Sequence, residues 1–282
     1  MMSRGISRPT ARSFLACAIA VGLAWSAALP APAKNAASSA ALTAEQIVAK
    51  NVTARGGLEA WRKIQTMVWV GRMQVPSAPI PGMRFVLEEK RPNKTRFELT
   101  SLTEHSMRVF DGTGGWKIRP GRQGRSVTPY TEQEISFARG EQVIDGPLID
   151  YKAKGNTVTL QGIEEVEGRK AYRLNVRLAS GQRQDIWVDA QTFLDVRMDR
   201  LSYNTAGAPR IVPVYYRDFK PFEGLQIPTT IETGVGSGSP TNKMEIERIT
   251  VNPPLEDRVF APPVESRKPN TVSNPAVAAQ QP

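Results

Sequence analysis

The sequence is nearly free of cysteine and histidine, with one residue of each type among 282. One cysteine cannot form a disulfide within the chain, and one residue of each type cannot build a four-ligand zinc site of Cys and His. A Cys–His catalytic pair would need both single residues, Cys17 and His105. His105 lies in a polar stretch, which favours an exposed position. These counts exclude the disulfide-rich and zinc-ribbon classes.

Paired acid–base groups and phosphate-binding loops are also missing. The glycine-rich residues 234–238 lack the Lys-Ser/Thr of a phosphate loop. Several carboxylates alternate with apolar residues, the pattern of strand positions that face solvent: Glu88, Asp185, Asp195 and Asp199. No spacing indicates an all-carboxylate metal site. We therefore expect no catalytic residue, no metal and no cofactor, and a protein that is not an enzyme.

Basic residues outnumber acidic residues, but they form no nucleic-acid-binding motif. Lys and Arg number 37 against 27 Asp and Glu, giving a net charge of +10. The basic residues are scattered over the predicted strands, with no groove-binding helix and no paired aromatic motif for RNA. Nucleic acid is therefore not an expected partner. The charge fits either attraction to anionic surfaces or simple solubility.

Residues 1–33 have the pattern of an export signal. A basic start precedes an apolar run at residues 14–29 and the small residues Ala31-Pro32-Ala33, so Lys34 is the expected first mature residue. The alternative is an uncleaved anchor, but a run of about 16 residues is short for a ~30 Å hydrocarbon core. Cleavage would remove three arginines, leaving a charge of +10 − 3 = +7. We expect a periplasmic protein.

The rest of the chain divides by composition. Residues 34–42 are small and polar and predict a flexible tether. Residues 43–263 predict a single domain, and the polar, Pro-rich residues 264–282 predict a disordered tail.

Helices are predicted at three places. Thr43 and Gln46 form a capping box, and Gly56-Gly57 ends that helix. A short helix follows from Leu58. Thr131 and Glu134 form a second capping box, which opens a helix to about Arg139.

Most of the domain alternates with a period of two, which predicts about eleven strands. The strands follow one another without intervening helices, so the sheet should be antiparallel and, at this length, curved. The fold class is therefore mainly β (α+β). Six methionines beyond residue 66 suit either an adaptable apolar surface or an ordinary core. Together with two inserted helical segments, the curved sheet raises the hypothesis of an apolar cavity.

Three short motifs occur in order along the domain. They are Lys90-Arg91-Pro92-Asn93 within residues 85–97, Asp111-Gly112-x-x-Gly115-Trp116-x-x-x-Pro120, and Val259-Phe260-Ala261-Pro262-Pro263. Together they resemble the LolA family of periplasmic lipoprotein carriers. The resemblance covers most of the chain from Thr43 to Pro263. An added segment at residues 56–61 and a longer second half resemble a broader group of outer-membrane lipoprotein-sorting proteins.

The resemblance implies a strongly curved antiparallel sheet, an incomplete barrel covered by short helices, with an apolar cavity for acyl chains. It also implies that Arg91 holds the closed, empty state through contacts to the covering helices. A guanidinium has five donors and can bind several carbonyls at once. The alternative is that Arg91 only occupies a turn that Pro92 fixes.

The sequence therefore predicts a periplasmic carrier that takes lipid or lipoprotein acyl chains toward the outer membrane. The alternatives are a lipid-binding sensor or regulatory module, and an envelope hydrolase. The partners expected are the acyl chains and membrane-bound donor and acceptor proteins, and the carrier is expected to be a monomer. The residues predicted to line the cavity are Trp69, Met73, Met83, Phe85, Leu87, Phe97, Leu99 and Trp116, with Arg91 as the gating residue.

Overall fold

The computed structural model describes residues 41–75, 82–102, 104–121, 124–141, 144–203, 209–234 and 242–262. The chain divides into two units, Met1–Ala40 and Ala41–Pro282, and all the described elements belong to the second. The predicted signal segment, the tail at 264–282 and residues 235–238 of the glycine-rich stretch lie outside the described residues. So does the predicted tether, apart from residues 41 and 42. None of the described helices has the length and apolar character needed to span a bilayer.

Thirteen strands in the described residues form one antiparallel sheet. They are β1 (Thr66–Gln74), β2 (Met83–Lys90), β3 (Lys94–Thr100), β4 (His105–Phe110), β5 (Gly115–Gly121), β6 (Gly124–Pro129), β7 (Thr157–Val166), β8 (Arg169–Arg177), β9 (Arg183–Asp189), β10 (Asp195–Tyr203), β11 (Pro209–Phe222), β12 (Leu225–Thr233) and β13 (Asn242–Val251).

The strand order is β6-β5-β4-β3-β2-β1-β13-β12-β11-β10-β9-β8-β7. Every neighbour is consecutive in sequence except β1 and β13, which join the first six strands to the last seven. The two edge strands, β6 and β7, are therefore consecutive in the chain. The connection between them, residues 130–156, must pass from one edge of the sheet to the other.

The predicted helices and both capping boxes are confirmed. In α1 (Ala44–Ala54), Gln46 N donates to Thr43 Oγ1, and Thr43 N donates back to the Gln46 side chain. Thr131 and Glu134 make the same exchange at the start of α3 (Glu132–Gly140). The short α2 (Leu58–Arg62) lies between α1 and β1, and a 3₁₀ helix (Asp257–Phe260) follows β13.

The buried core lies between the helices and one face of the sheet. Ile47 and Val48 of α1 pack with Leu174 and Ile186 of β8 and β9. Trp61 of α2 forms a second cluster with residues of β1 and β12, including Met67 and Ile227. These two clusters lie on the face that the helices cover, and a smaller cluster around Trp187 and Val196 lies on the other face.

The structure corrects two expectations about the strands. The sheet has thirteen strands instead of about eleven. One of them, β6, pairs with β5 at the edge although its residues show no clear alternation. Asp195 was expected to face solvent, but a register shift between Asp195 and Arg197 interrupts the alternation of β10. Since a bulge moves later side chains to the other face, Asp195 and Met198 end on the same side.

Candidate functional site

A cavity of about 220 Å³ lies between the covered face of the sheet and residues 144–148, which we call the cover segment. The cover segment belongs to the connection between β6 and β7, and all five of its residues line the cavity. Arg55, which follows α1, and Trp61 of α2 complete the upper wall. The site is therefore assembled where the edge-to-edge connection meets the two N-terminal helices.

The floor of the cavity is apolar and comes from both halves of the sheet. Strands β1 and β2 contribute on one side of the β1–β13 junction, and β9 to β13 on the other. The apolar floor includes Trp69, Leu87, Ile186, Met198, Ile231 and Ile246. Tyr216 adds a phenol whose hydroxyl lies 3.9 Å from Met198 Sδ, and burial raises the pKa of Tyr216 to about 12. A neutral hydroxyl thus lies among the apolar side chains of the floor.

Asp145 of the cover segment is the centre of a buried charge cluster. Its side chain is 3% exposed, and its two carboxylate oxygens accept from Arg91 Nη2 at 2.6 Å and Lys154 Nζ at 2.5 Å. The Asp145 carbonyl accepts from Arg55 Nη1 at 3.0 Å. Burial lowers the pKa of Lys154, although the Asp145 charge opposes this shift. Asp145 is thus bound by cations from three points of the chain: Arg55 and Arg91 lie outside the connection between β6 and β7, and Lys154 lies within it.

Arg91, in the turn between β2 and β3, also reaches α2. Its Nε donates to the Ile64 carbonyl at 2.7 Å, and Nη2 donates to the Trp61 carbonyl at 3.2 Å. One guanidinium therefore joins a sheet turn, the end of α2 and Asp145. A residue confined to its own turn would not make these contacts.

Asp195 lies on the opposite wall with its own partners. Its carboxylate is 3.4 Å from Arg55 Nη1 and accepts from Asn51 Nδ2 at 3.0 Å. Burial raises the pKa of Asp195, while the Arg55 charge and the Asn51 hydrogen bond oppose that rise. Arg55 therefore interacts with both the cover segment and β10.

Glu89 is the third carboxyl that lines the cavity, and it forms no ion pair with any described residue. It accepts from Trp69 Nε1 at 2.9 Å and from the backbone N–H of Ile144 in the cover segment. Burial raises the pKa of Glu89 to about 7, and the nearby Glu141 and Asp145 charges add to the rise. The two hydrogen bonds act in the opposite direction. This carboxyl is therefore partly protonated near neutral pH.

The structure separates the predicted lining residues into three sets. Trp69 and Leu87 line the cavity. Five others share their sheet face by register but lie outside the described cavity: Met73, Met83, Phe85, Phe97 and Leu99. Among these, Phe85 is fully packed, with its ring 6.0 Å from that of Phe97.

Trp116 lies on the other face of the sheet. Trp116 pairs with Val109 on β4, Val109 pairs with Arg96 on β3, and Arg96 pairs with Glu88 on β2. Residues paired in this way point to the same face, so Trp116 shares the face of Glu88. Because Glu88 and Leu87 are neighbours on one strand, they point to opposite faces. The assignment of Trp116 to the cavity is off by one residue in register.

The charged groups of the cavity were not predicted from the sequence as site residues. A signal existed for Glu89, because Phe85, Leu87 and Glu89 alternate along one strand and place a carboxyl on the apolar face. For Arg55, Asp145 and Asp195 the sequence pattern contains no comparable signal. Their proximity depends on how the connection between β6 and β7 folds over the sheet.

No protein-family model and no curated protein matches this chain. Solved structures do match its fold. A LolA superfamily protein from Nitrosomonas europaea is 15% identical, with a TM-score of 0.51 over 79% of this chain and 99% of that chain. A DUF1329 family protein from Desulfovibrio piger is 14% identical, with a TM-score of 0.51 over 78% of this chain and 97% of that chain. The chain therefore has a LolA-like fold, as its motifs predicted.

Proposed function

We propose that this protein is a periplasmic carrier that holds the acyl chains of a lipid or lipoprotein in the cavity for transfer toward the outer membrane. The observation that supports it is a hollow with an apolar floor beneath a cover segment attached by charged groups. The LolA-like fold is consistent with this role. Each buried methylene contributes about 0.8 kcal/mol, so a few acyl chains would bind tightly without a cofactor.

The size of the cavity indicates how such a ligand would enter. At about 220 Å³ it exceeds a cavity of about 150 Å³ that holds benzene, but it is below the roughly 300–1,000 Å³ of typical ligand pockets. The closed form has room for a short stretch of one chain. Complete acyl chains would require displacement of the cover segment, and therefore separation of Arg91 and Lys154 from Asp145.

Arg91 is accordingly proposed as the gating residue. Its bonds to the Trp61 and Ile64 carbonyls hold the guanidinium in place, and its contact to Asp145 stabilises the closed form and is lost when the cover segment moves. Arg91→Leu should therefore speed the release of a bound fluorescent fatty-acyl probe by roughly tenfold, which corresponds to about 1.4 kcal/mol. Stopped-flow dilution measures this rate.

The matched control is Arg72→Leu, which removes a guanidinium from an exposed ion pair with Glu247. It should leave the release rate unchanged. Equal release rates and equal cover-segment hydrogen exchange in wild type and Arg91→Leu would make Arg91 a turn residue only.

The carrier role itself is tested by native mass spectrometry of protein purified from membranes. We expect copurified lipid, displaced by the acyl probe. Recovery of no lipid together with no probe binding would refute the proposal. The sensor and hydrolase alternatives predict, respectively, a stable membrane partner and turnover of an envelope polymer.

The location and partners are proposed together with the carrier role. Removal of residues 1–33 would give a mature protein beginning at Lys34, which N-terminal sequencing of the periplasmic fraction would identify. Membrane-bound donor and acceptor proteins are the proposed exchange partners. Crosslinking in intact cells tests them, and the monomeric state is tested by light scattering.

A further inference from the structure

The cavity contains three carboxyls, and their pairing differs. Asp145 has Arg91 and Lys154, and Asp195 has Arg55. Glu89 has hydrogen bonds from Trp69 and Ile144 but no cation among the described residues. A carboxylate offers about four acceptor sites, so two donors leave room for another. The wall at Glu89 is therefore the place where the cavity lacks positive charge.

The charges around Glu89 reinforce this difference. Glu141 and Asp145 are the charged groups that raise the pKa of Glu89 most, and each of them already pairs with a basic side chain. Glu89 is therefore the cavity carboxyl to which no described residue supplies a cation. In a site of low dielectric, such a carboxylate favours a cation and disfavours an anion far more strongly than in water. A neutral donor would satisfy hydrogen bonding but would not balance the charge.

We infer that Glu89 recognises the head group of the ligand, and that the preferred ligand is an amphiphile with a protonated amine beside its apolar chain. The inference rests on the proposed function, since it names the class of ligand for the same cavity. The chain would lie against the apolar floor at Leu87 and Ile231, and the ammonium would lie beside Glu89 under the cover segment.

The net charge of the whole protein acts against a preference for an amine. A chain with a net charge of +10 attracts anions non-specifically and repels cations. A preference for an amine must then arise locally. Glu89 also couples the head group to the cover segment, because the Ile144 N–H bonds to the same carboxyl.

The test uses three probes with the same twelve-carbon chain: dodecylamine and dodecanoate below their micelle concentrations, and dodecanol below its solubility limit. Each probe displaces a fluorescent acyl reporter from the full mature protein at neutral pH. The wild type should bind the amine at least tenfold more tightly than the alcohol, and the carboxylate most weakly. Glu89→Gln should remove the preference for the amine while leaving the dodecanol affinity within twofold.

The control is Glu88→Gln, which changes the neighbouring carboxyl on the opposite sheet face, where Glu88 pairs with Arg96. It should keep the preference for the amine. As an independent readout, calorimetry in two buffers of different ionisation enthalpy should detect proton release when wild type binds the amine, and none for Glu89→Gln.

The outcomes separate the two proposals. If wild type binds the carboxylate or the alcohol as tightly as the amine, or if Glu89→Gln keeps the preference, head-group recognition by Glu89 is wrong while the carrier role stands. If none of the three probes binds wild type, the carrier proposal fails.

Discussion

Replacing Glu89 by Gln should change how the stability of the protein depends on pH. Burial raises the pKa of Glu89 from 4.5 to about 7. Between these two pH values the folded protein binds one proton more than the unfolded chain, so the free energy of unfolding falls as the pH rises. At about 1.4 kcal/mol per pKa unit, the loss across this window is about 3 kcal/mol.

Glutamine cannot ionise, and its side-chain oxygen can still accept from the Trp69 indole. The variant should therefore gain stability relative to wild type as pH rises, by about 2.5 kcal/mol between about pH 5 and pH 8. Urea unfolding at both pH values measures this difference. The raised pKa of Asp195 acts in the same direction but is common to both proteins, so the comparison subtracts it.

A difference between variant and wild type that stays constant with pH would refute the reasoning. It would mean that Glu89 ionises in the folded protein much as it does in the unfolded chain. The carboxyl would then be hydrated and would not lie against a closed apolar cavity.

Two further predictions concern the cover segment and the junction of the sheet. Asp145→Asn leaves Arg91 and Lys154 without their shared counter-charge and should lower the free energy of unfolding by about 3–5 kcal/mol, measured by urea unfolding. Unchanged stability would show that the buried cluster is solvated. Gly71→Ala places a Cβ 2.1 Å from the Glu245 carbonyl and 2.8 Å from the Phe85 ring. It should cost about 1–3 kcal/mol or more, read as a lower melting temperature, and an unchanged value would contradict this close approach of β1 and β13.

Much of the fold follows from local pattern. The capping boxes at Thr43 and Thr131 are complete in the sequence, and each needs only four residues to form. The alternation of β1 to β3 also fixes the face that carries Trp69 and Leu87, since side chains alternate along a strand. These features depend on neighbours in the chain, which a sequence displays directly.

The residues that the sequence placed on the wrong face or did not identify have a different physical origin in common. Asp195 alternates with apolar residues in the sequence, but a bulge after it reverses the faces of β10. Trp116 looks like an inward aromatic residue until the register through Val109 places it outside. Asp145 precedes a Gly-Pro turn and gives no local sign that Arg91, 54 residues earlier, will bind it. Bulges, register and long-range charge contacts are set by tertiary pairing.

The position of the cover segment, in contrast to its contacts, follows from the order of the strands. Because β1 pairs with β13, the sheet has β6 and β7 as its two edges, and these are joined by residues 130–156. A connection between opposite edges of a curved sheet crosses the hollow side, where it buries its apolar residues Leu148 and Ile149. The strand order therefore places this connection over the hollow side of the sheet, whatever residues the connection contains. What the sequence adds is an acidic residue at 145 whose carboxylate pairs with Arg91 and Lys154, so that the cover is held by charge as well as by its buried apolar residues. Under the proposed carrier role, opening would separate Arg91 from Asp145 and expose the apolar residues of the cover, while the strand pairing beneath it stays intact.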